Sequence, residues 1–273
     1  MHQSTPQYVY AYCHGFLSGP ASFTGVELKK QLADKRVDLE LLNLNGGDDP
    51  GGISFSGGVE VVRTLFEDKK QVLGDGIKLR LIGSSLGGYV VARYAELYPD
   101  QVDRIFMLCP SFNLASRWSK FYSEEYLRTW EKDGARDFVL PGDVGGTTSI
   151  PWSFVEDGLS QPAFPAYTCP AFIVHGLGDT TVPSDTTRRL VEEMPAQGKK
   201  TTAMFVEDGH SLTLPKTMSL TSKAMFEFFE IGGAAGDGDE GVGASEKSTV
   251  EVERKFPAHG LDKLKVRGHI NTP

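Results

Sequence analysis

The sequence feature that most constrains the fold is an apolar run that ends in a serine flanked by glycines. Residues 79–88 (LRLIGSSLGG) place Ser85 at the centre of a Gly-x-Ser-x-Gly turn between Gly83 and Gly87, and residues 89–98 then look helical. This order of strand, sharp turn and helix is typical of a nucleophile elbow. The central residue of such a turn takes a strained backbone conformation, and glycines prevent collisions around it. We therefore expect Ser85 to project from the sheet at the tip of the turn.

Strand-like and helix-like segments alternate over most of the chain. Apolar or β-branched runs predict strands at residues 8–13, 37–44, 79–82, 104–109, 171–175 and 201–206. Apolar residues at helical spacing predict helices at residues 25–33, 59–66, 89–98, 186–194 and 215–231. Such alternation predicts an α/β fold with a mostly parallel sheet and helices on both of its faces.

Residues 111–168 interrupt this alternation. They contain all three tryptophans, Trp118, Trp130 and Trp152, together with many charged residues. We expect an insertion that covers the sheet. Two interpretations stay open for it, a lid that shapes a substrate pocket or an ordinary excursion that the tryptophans anchor to the core.

Composition divides the chain into three parts. We predict an α/β domain over residues 1–231. Residues 232–249 are rich in glycine and acidic residues and have almost no apolar side chain to bury, which predicts a flexible linker. Residues 250–273 form a tail that is not expected to be a full domain.

Charge and cysteine usage narrow the classes of partner and compartment. The formal net charge is −8, which argues against nucleic acid or an anionic membrane as the main partner, because both attract basic surfaces. The amino terminus lacks the features of a secretory signal, and no apolar run approaches the length of a transmembrane helix. Cys13, Cys109 and Cys169 are far apart and show no disulfide or zinc-binding spacing. We therefore expect a cytoplasmic protein that needs neither a metal nor a cofactor.

Three loops that follow predicted strands carry Ser85, Asp179 and His210, in that order along the chain. A serine hydroxyl becomes an effective nucleophile only when a neutral imidazole takes its proton. His210 would be that base and would return the proton to the leaving group. Asp179 would fix the tautomer of the imidazole and stabilise its cation. The order serine, acid, histidine is that of the α/β hydrolases.

Each of these assignments competes with a simpler structural role. Asp179 could only shape a turn in its Gly-Asp-Thr sequence, and His210 could cap the last helix or lie at the surface. Asp208 is a second candidate acid, but it shares the turn of His210, and an acid from a separate loop reaches the far ring nitrogen more easily. His175 and His14 stand at the ends of predicted strands, and we interpret them as hydrogen-bonded residues that brace their loops.

The negative charge that develops on an attacked carbonyl oxygen needs two backbone N–H donors. Leu86 directly follows the predicted nucleophile and begins a helix, whose dipole favours an anion. The loop after the first strand, residues 14–16 (HGF), offers the N–H of Phe16, with Leu17 as a further candidate. We therefore predict Phe16 and Leu86 as the oxyanion donors.

Residues 8–231 resemble the α/β-hydrolase superfamily. Within it, YCHGFLS at residues 12–18 and GSSLGGY at residues 83–89 resemble the small bacterial esterases of the YqiA type. The resemblance implies an α/β-hydrolase fold and a serine hydrolase that acts on carboxylic esters, with the roles given above. The insertion at residues 111–168 is longer than in the most compact members, which leaves substrate size and acyl preference open.

The tail carries a second, shorter resemblance. Residues 251–256 (EVERKF) resemble the opening strand of the CYTH family, which includes thiamine triphosphatases and adenylate cyclases. The family's Glu-x-Glu-x-Lys pattern falls on Glu251, Glu253 and Lys255, which a strand would place on one face. That family closes a β-barrel with many further charged residues, and only 18 residues follow Lys255. We therefore predict no triphosphatase activity for the tail.

The function predicted from these features is a serine hydrolase that cleaves a small-molecule carboxylic ester through an acyl-enzyme intermediate. A thioesterase or a carbon–carbon bond hydrolase is an alternative, since the fold alone does not separate these reactions. A non-catalytic binder of small molecules is a third possibility. The natural substrate and the oligomeric state stay open.

Overall fold

The computed structural model describes residues 7–114, 117–141, 146–193 and 201–232. The remainder of the predicted linker, from residue 233, and the predicted tail at residues 250–273 lie outside the described residues. The domain boundaries inferred from composition therefore stay a prediction.

Within the described residues the chain forms eight strands: β1 (Gln7–Cys13), β2 (Leu39–Leu42), β3 (Ile77–Ser84), β4 (Val102–Leu108), β5 (Ala135–Val139), β6 (Thr147–Pro151), β7 (Ala171–Gly176) and β8 (Thr201–Val206). Six of them form one sheet in the order β2-β1-β3-β4-β7-β8, and every neighbouring pair is parallel. The other two, β5 and β6, form a separate antiparallel pair.

The same parts of the chain form eight α-helices: α1 (Phe23–Ala33), α2 (Phe55–Leu73), α3 (Leu86–Leu97), α4 (Trp118–Phe121), α5 (Glu124–Asp133), α6 (Ser153–Ser160), α7 (Asp185–Glu193) and α8 (Pro215–Phe229). One face of the large sheet packs against α1 and α8, and the opposite face packs against α2 and α3. The predicted mostly parallel sheet with helices on both faces is confirmed. None of these helices is both long enough and apolar enough to span a membrane.

The central strand β3 shows why the apolar runs predicted strands correctly. Leu79 and Leu81 point into the core under α2 and α3, whereas Ile82 points into the core under α1 and α8. All three side chains are fully buried. Because helices cover both faces, a strand of this sheet needs apolar residues at successive positions rather than at alternate ones.

The second strand is shorter than the sequence predicted. The apolar run at residues 37–44 predicted one strand, whereas β2 covers only Leu39–Leu42. The N–H of Val37 donates to the carbonyl oxygen of Leu32 at 3.0 Å and so closes the end of α1. On the other side, the side-chain oxygen of Asn43 accepts a backbone N–H two residues further on at 3.1 Å, a turn that ends the strand. Local turns therefore form at both ends of the apolar run, and only its middle part forms a strand.

The insertion predicted between the fourth sheet strand and the next lies between β4 and β7 and contains α4, α5, α6 and the β5–β6 pair. Its centre is aromatic. Trp130 is fully buried, and its Nε1–H donates to the carbonyl oxygen of Ile150 at 2.9 Å. Trp118 and Trp152 pack edge-on against its ring at centroid distances of 6.1 and 5.8 Å. The tryptophans thus anchor the insertion, and its action as a lid stays a prediction.

Candidate active site

The turn between β3 and α3 carries Ser85 in a backbone conformation that side chains rarely adopt. Its φ is 53° and its ψ is −115°, and a positive φ is unfavourable for any residue other than glycine. A Cβ on Gly83 would lie 2.3 Å from the carbonyl oxygen of Gly87, and a Cβ on Gly87 would lie 2.0 Å from that of Cys13. Both glycines of the motif are therefore required by the tightness of the turn.

The neighbouring strand β4 holds the turn in place. The N–H of Ser85 donates to the carbonyl oxygen of Leu108 at 2.9 Å, and the N–H of Ser111 donates to the carbonyl oxygen of Ser85 at 3.0 Å. A strained residue persists only where its surroundings over-determine its conformation. These two hydrogen bonds fix the peptide groups on both sides of Ser85 and supply that constraint.

We expect Gly87→Ala to destabilise the protein, because the new methyl group would overlap the end of β1. Its three nearest atoms would be backbone atoms of Cys13 and His14 at 2.0–2.6 Å, which cannot swing away as a side-chain tip can. Overpacking usually reduces the free energy of unfolding by about 1–3 kcal/mol, and we expect a loss at the upper end of that range in urea unfolding. Gly76→Ala is the control, since nothing lies within 4 Å of its Cβ. Equal stability of the two variants would contradict the close approach.

The side chains of Ser85, His210 and Asp179 lie in one hydrogen-bonded chain. His210 Nε2 is 2.9 Å from Ser85 Oγ, and His210 Nδ1 is 2.7 Å from Asp179 Oδ2. A carboxylate can only accept, so Nδ1–H donates to Asp179 and Nε2 is left to accept the hydroxyl proton of Ser85. The loops after β3, β7 and β8 thus bring the three predicted residues together, with the tautomer that a general base needs. Their catalytic roles stay a prediction.

Asp179 is buried, and N–H groups surround its carboxylate. Oδ1 accepts the backbone N–H groups of Thr181 at 2.9 Å and Val182 at 2.7 Å, and Oδ2 lies 3.3 Å from Nε2 of His175. Burial alone would raise the pKa of the carboxyl, but hydrogen bonds from His175, His210 and Val182 outweigh it and hold the pKa well below its usual range. Asp179 is therefore negatively charged at neutral pH.

The competing acid, Asp208, is engaged within its own loop. Its carboxylate accepts the N–H of Gly209 at 2.7 Å and the N–H of Leu214 at 3.0 Å. These contacts shape the turn between β8 and α8. Of the two candidate acids, Asp179 is the one that contacts the Nδ1 of His210.

The other two histidines singled out in the sequence are buried and hydrogen-bonded, as predicted. His14 Nε2 accepts the N–H of Leu44 at 3.0 Å, which braces the loop after β1 against the chain beyond β2. Burial lowers the pKa of His14 and keeps its ring neutral. His175 contacts the Thr187 hydroxyl at 2.7 Å and the Val182 carbonyl oxygen at 2.8 Å, which ties β7 to the loop of the acid and to α7.

The loop after β1 approaches the predicted nucleophile closely. A Cβ on Gly15 would lie 3.2 Å from Ser85 Cβ and 3.8 Å from its Oγ. Leu86 is the first residue of α3, so no preceding helical turn offers an acceptor for its N–H. Among the hydrogen bonds of the described residues, none uses the N–H of Phe16 or of Leu86 as donor. Both N–H groups thus remain candidates for an oxyanion, and this role stays a prediction.

A model of the alpha/beta hydrolase fold matches residues 12–160 of the sequence. The chain belongs to the α/β-hydrolase family. The match begins in β1 and includes the elbow, β4 and most of the insertion, whereas Asp179 and His210 lie beyond it. The positions of these two residues in this α/β hydrolase are therefore known from the geometry alone.

One relative of this α/β hydrolase is monoacylglycerol lipase abhd6-A of Xenopus laevis. The two sequences are 29% identical over 105 residues, which make up 38% of this chain and 28% of that protein. The match therefore spans less than a third of the relative's length.

Two solved structures share the fold of this α/β hydrolase. A presumed hydrolase from Agrobacterium vitis superposes with a TM-score of 0.67 over 81% of this chain and 88% of that one, at 19% identity. The monoacylglycerol lipase of Paleococcus ferrophilus superposes with a TM-score of 0.62 over 81% of this chain and 93% of that one, also at 19% identity. At such low identity these likenesses establish the fold alone.

Two polar residues beside the candidate site carry no recognisable motif. Ser111 is buried, and its Oγ lies 3.0 Å from the Oγ of Ser85. Arg117 is buried in the insertion, and its Nη2 donates to the carbonyl oxygen of Thr181 at 2.7 Å. Arg117 therefore ties the insertion to the loop that holds Asp179. Both contacts depend on the path of the chain after β4, which no spacing in the sequence indicates.

Within the described residues, one group of side chains could present three metal-ligating atoms, those of Cys109, Asp179 and His210, which lie within 4.8 Å of one another. Two of these residues are already joined by a hydrogen bond of 2.7 Å, between Asp179 Oδ2 and His210 Nδ1. A metal ion would have to replace that bond, and burial raises the pKa of the Cys109 thiol, which opposes the thiolate form that binds metals. The geometry therefore favours hydrogen bonding over metal binding, and the predicted absence of a metal stays a prediction.

Aromatic side chains of the insertion border the loops that flank the elbow. Phe16 stacks on Phe154 of α6 at a centroid distance of 4.8 Å and meets Phe138 of β5 edge-on at 5.9 Å. At the start of α3, the Tyr89 hydroxyl donates to the carbonyl oxygen of Pro162 at 2.7 Å. The insertion of this α/β hydrolase thus packs against the loop after β1 and against the helix after the elbow.

Proposed function

We propose that this α/β hydrolase is a serine hydrolase that cleaves carboxylic esters of small molecules through an acyl-Ser85 intermediate. The observation that carries the proposal is the hydrogen-bonded chain from Asp179 through His210 to Ser85, which has an ionised acid at one end and a serine on a strained turn at the other. Membership of the family supports hydrolysis as the reaction type. The name of the similar Xenopus laevis protein, a monoacylglycerol lipase, supports an ester as the bond that is cleaved.

In the first half-reaction Ser85 Oγ attacks the carbonyl carbon of the ester. The hydroxyl proton passes to His210 Nε2, the new C–O bond forms, and one electron pair of the carbonyl group moves onto its oxygen. Asp179 accepts from Nδ1–H throughout, and its negative charge stabilises the imidazolium. The N–H groups of Phe16 and Leu86 donate to the oxyanion.

Collapse of the tetrahedral intermediate completes acylation. The bond to the alcohol breaks, and the alcohol leaves with the proton from His210 Nε2, while the acyl group stays on Ser85 as an ester. Water then gives a proton to His210 and attacks the acyl carbonyl carbon. When the bond to Ser85 Oγ breaks, the serine regains its proton from His210 and the carboxylic acid is released.

The substrate of this reaction carries an apolar acyl or alcohol group. The supporting observation is the aromatic packing on the loop after β1, whose Gly15 approaches Ser85 and whose Phe16 contacts Phe138 and Phe154 of the insertion. Leu177 and Leu214, in the loops after β7 and β8, are also exposed. A groove of about 1190 Å³ between α1 and α8 is lined by none of the three candidate catalytic residues, so it is not the proposed substrate pocket.

Hydrolysis of p-nitrophenyl esters of graded acyl length tests the proposal. We expect release of p-nitrophenol at a rate that depends on acyl length, because each methylene group of the acyl chain that packs against the protein in the transition state changes the rate. A fluorophosphonate probe should label the protein, and peptide mapping should place the label on Ser85.

The two readouts separate the parts of the proposal. Labelling of Ser85 without hydrolysis of any ester would contradict the ester substrate and direct the assay to thioesters and to carbon–carbon bonds next to a carbonyl group. Absence of both labelling and hydrolysis would contradict a serine hydrolase altogether.

A further inference from the structure

Ser111, three residues beyond the end of β4, carries a buried hydroxyl that the mechanism above does not use. Its Oγ lies 3.0 Å from Ser85 Oγ, and only 3% of the residue is exposed. Its backbone N–H donates to the carbonyl oxygen of Ser85 at 3.0 Å, so the residue is tied to the elbow by main chain and side chain together. The nucleophilic oxygen therefore has two neighbours within hydrogen-bond distance, His210 on one side and Ser111 on the other.

The number of protons decides the direction of the second hydrogen bond. Asp179 can only accept, so Nδ1 of His210 carries a proton and Nε2 of the neutral ring does not. The single hydroxyl proton of Ser85 is then directed at Nε2. In the contact between the two hydroxyl groups Ser85 has no further proton to give, and Ser111 must be the donor.

We infer that Ser111 is a positioning residue that donates a hydrogen bond to the nucleophilic oxygen of Ser85, directing the Ser85 proton at His210 and stabilising the oxygen as it loses that proton. The inference rests on the proposed function, because it concerns the same serine. Ser111 belongs neither to the Gly-x-Ser-x-Gly motif nor to the chain order of serine, acid and histidine, so the inference adds a residue to the reaction.

The hydrogen bond is weakest in the resting enzyme and strongest at the transition states. Between two neutral hydroxyl groups it is ordinary, whereas a hydrogen bond to a negatively charged oxygen is about twice as strong. Ser85 Oγ gains negative charge when it transfers its proton during attack, and again when the acyl bond breaks and the serine leaves. Ser111 therefore favours both half-reactions, and because it contacts Ser85 the effect falls on kcat and not on KM.

The test compares Ser111→Ala with the wild-type protein and with Ser222→Ala. The alanine at position 111 keeps the backbone N–H that holds the elbow and removes only the hydroxyl. Ser222 is a matched control, since it too is buried and its hydroxyl donates to a carbonyl oxygen, that of Met218 at 2.8 Å in α8. The measurements are kcat and KM on the best p-nitrophenyl ester, the rate of Ser85 labelling by a fluorophosphonate, and the midpoint of thermal unfolding.

We expect Ser111→Ala to lower both kcat and the labelling rate about 10- to 100-fold, the loss that corresponds to one hydrogen bond to a charged group. KM should stay within about twofold of wild type, and Ser222→Ala should keep wild-type rates. An unchanged kcat and labelling rate would overturn the inference, as would a rise in KM with no change in kcat. If Ser111→Ala does not fold, Ser111→Cys provides the same comparison, because the thiol is a weaker donor in a similar volume.

The labelling rate separates this inference from the proposed function. Labelling of Ser85 in the wild type with an equal rate in Ser111→Ala would overturn only the role of Ser111. Failure of the wild-type protein to be labelled at Ser85 would overturn the serine hydrolase and the role of Ser111 together.

Discussion

Replacement of Ser85 by alanine is expected to lower kcat for ester hydrolysis by about five to six orders of magnitude, as loss of the nucleophile does in serine proteases. The hydroxyl is the group that bonds to the acyl carbon, and no second hydroxyl can replace it. Ser111 Oγ lies 3.0 Å from Ser85 Oγ, but among the described residues the hydrogen bonds of the His210 ring join it to Ser85 and Asp179 and not to Ser111, so the base is not placed to take the Ser111 proton. The measurement is the hydrolysis of the preferred p-nitrophenyl ester by both proteins side by side.

The fold should survive this substitution. Alanine keeps the N–H that donates to Leu108 and the carbonyl oxygen that accepts from Ser111, so the turn retains both of its anchors. We expect the free energy of unfolding in urea to change by less than about 1 kcal/mol. Ser84→Ala is the matched control, because it removes a hydroxyl from the same turn but not from its tip, and it should keep most of the activity. Full hydrolysis by Ser85→Ala would show that the assigned nucleophile is wrong.

The large sheet could be predicted because its strands are buried on both faces. In β4, Ile105 and Met107 enter one core and Phe106 enters the other, so the strand appears as an uninterrupted apolar run. The pair β5–β6 leaves no such signal. Its strands are short, partly exposed and rich in polar residues such as Arg136 and Asp137, and their pairing depends on contacts within the insertion.

The candidate site also contains residues that the sequence predicts and residues that it does not. The glycines on either side of Ser85 made this residue predictable, because a tight turn leaves no room for larger side chains at those positions. The need for an acid in a separate loop favours Asp179 over Asp208. In the structure the Asp179 carboxylate contacts Nδ1 of His210, whereas the Asp208 carboxylate accepts the N–H of Gly209 in its own loop. Ser111 and Arg117 are ordinary residues in sequence, and their contacts arise from the route by which the chain leaves β4.

Asp179→Asn is expected to lower kcat by about 10⁴-fold, the effect that the same change has in a serine protease triad. The surroundings of Asp179 fix how the new amide is oriented. The position of Oδ1 receives two backbone N–H groups, from Thr181 and Val182, and therefore keeps the amide oxygen. The amide NH₂ then occupies the position of Oδ2 and points at His210 Nδ1. His210 must accept there and carry its proton on Nε2, where it can no longer take the proton of Ser85.

The pH dependence of the free energy of unfolding provides an independent test of the charge on the Asp179 carboxylate. The pKa of Asp179 is held below its usual range in the folded protein, so its charge stabilises the fold at any pH above the ordinary aspartate value of about 3.9. That contribution disappears as the pH falls through the lowered pKa, because the carboxyl is then protonated in both states. Asp179→Asn should therefore be less stable than wild type in urea at pH 7, and the difference should narrow below about pH 4.

Asp208→Asn is the matched control for both effects. Among the hydrogen bonds of the described residues, its carboxylate accepts from N–H groups of its own loop and none joins it to His210, so the variant should keep its kcat within about tenfold of wild type. Of the two substitutions, the one at position 179 changes the group that faces Nδ1 of the imidazole. If Asp179→Asn retained the wild-type kcat, or if Asp208→Asn lost as much, Asp179 could not be the residue that fixes the tautomer of His210.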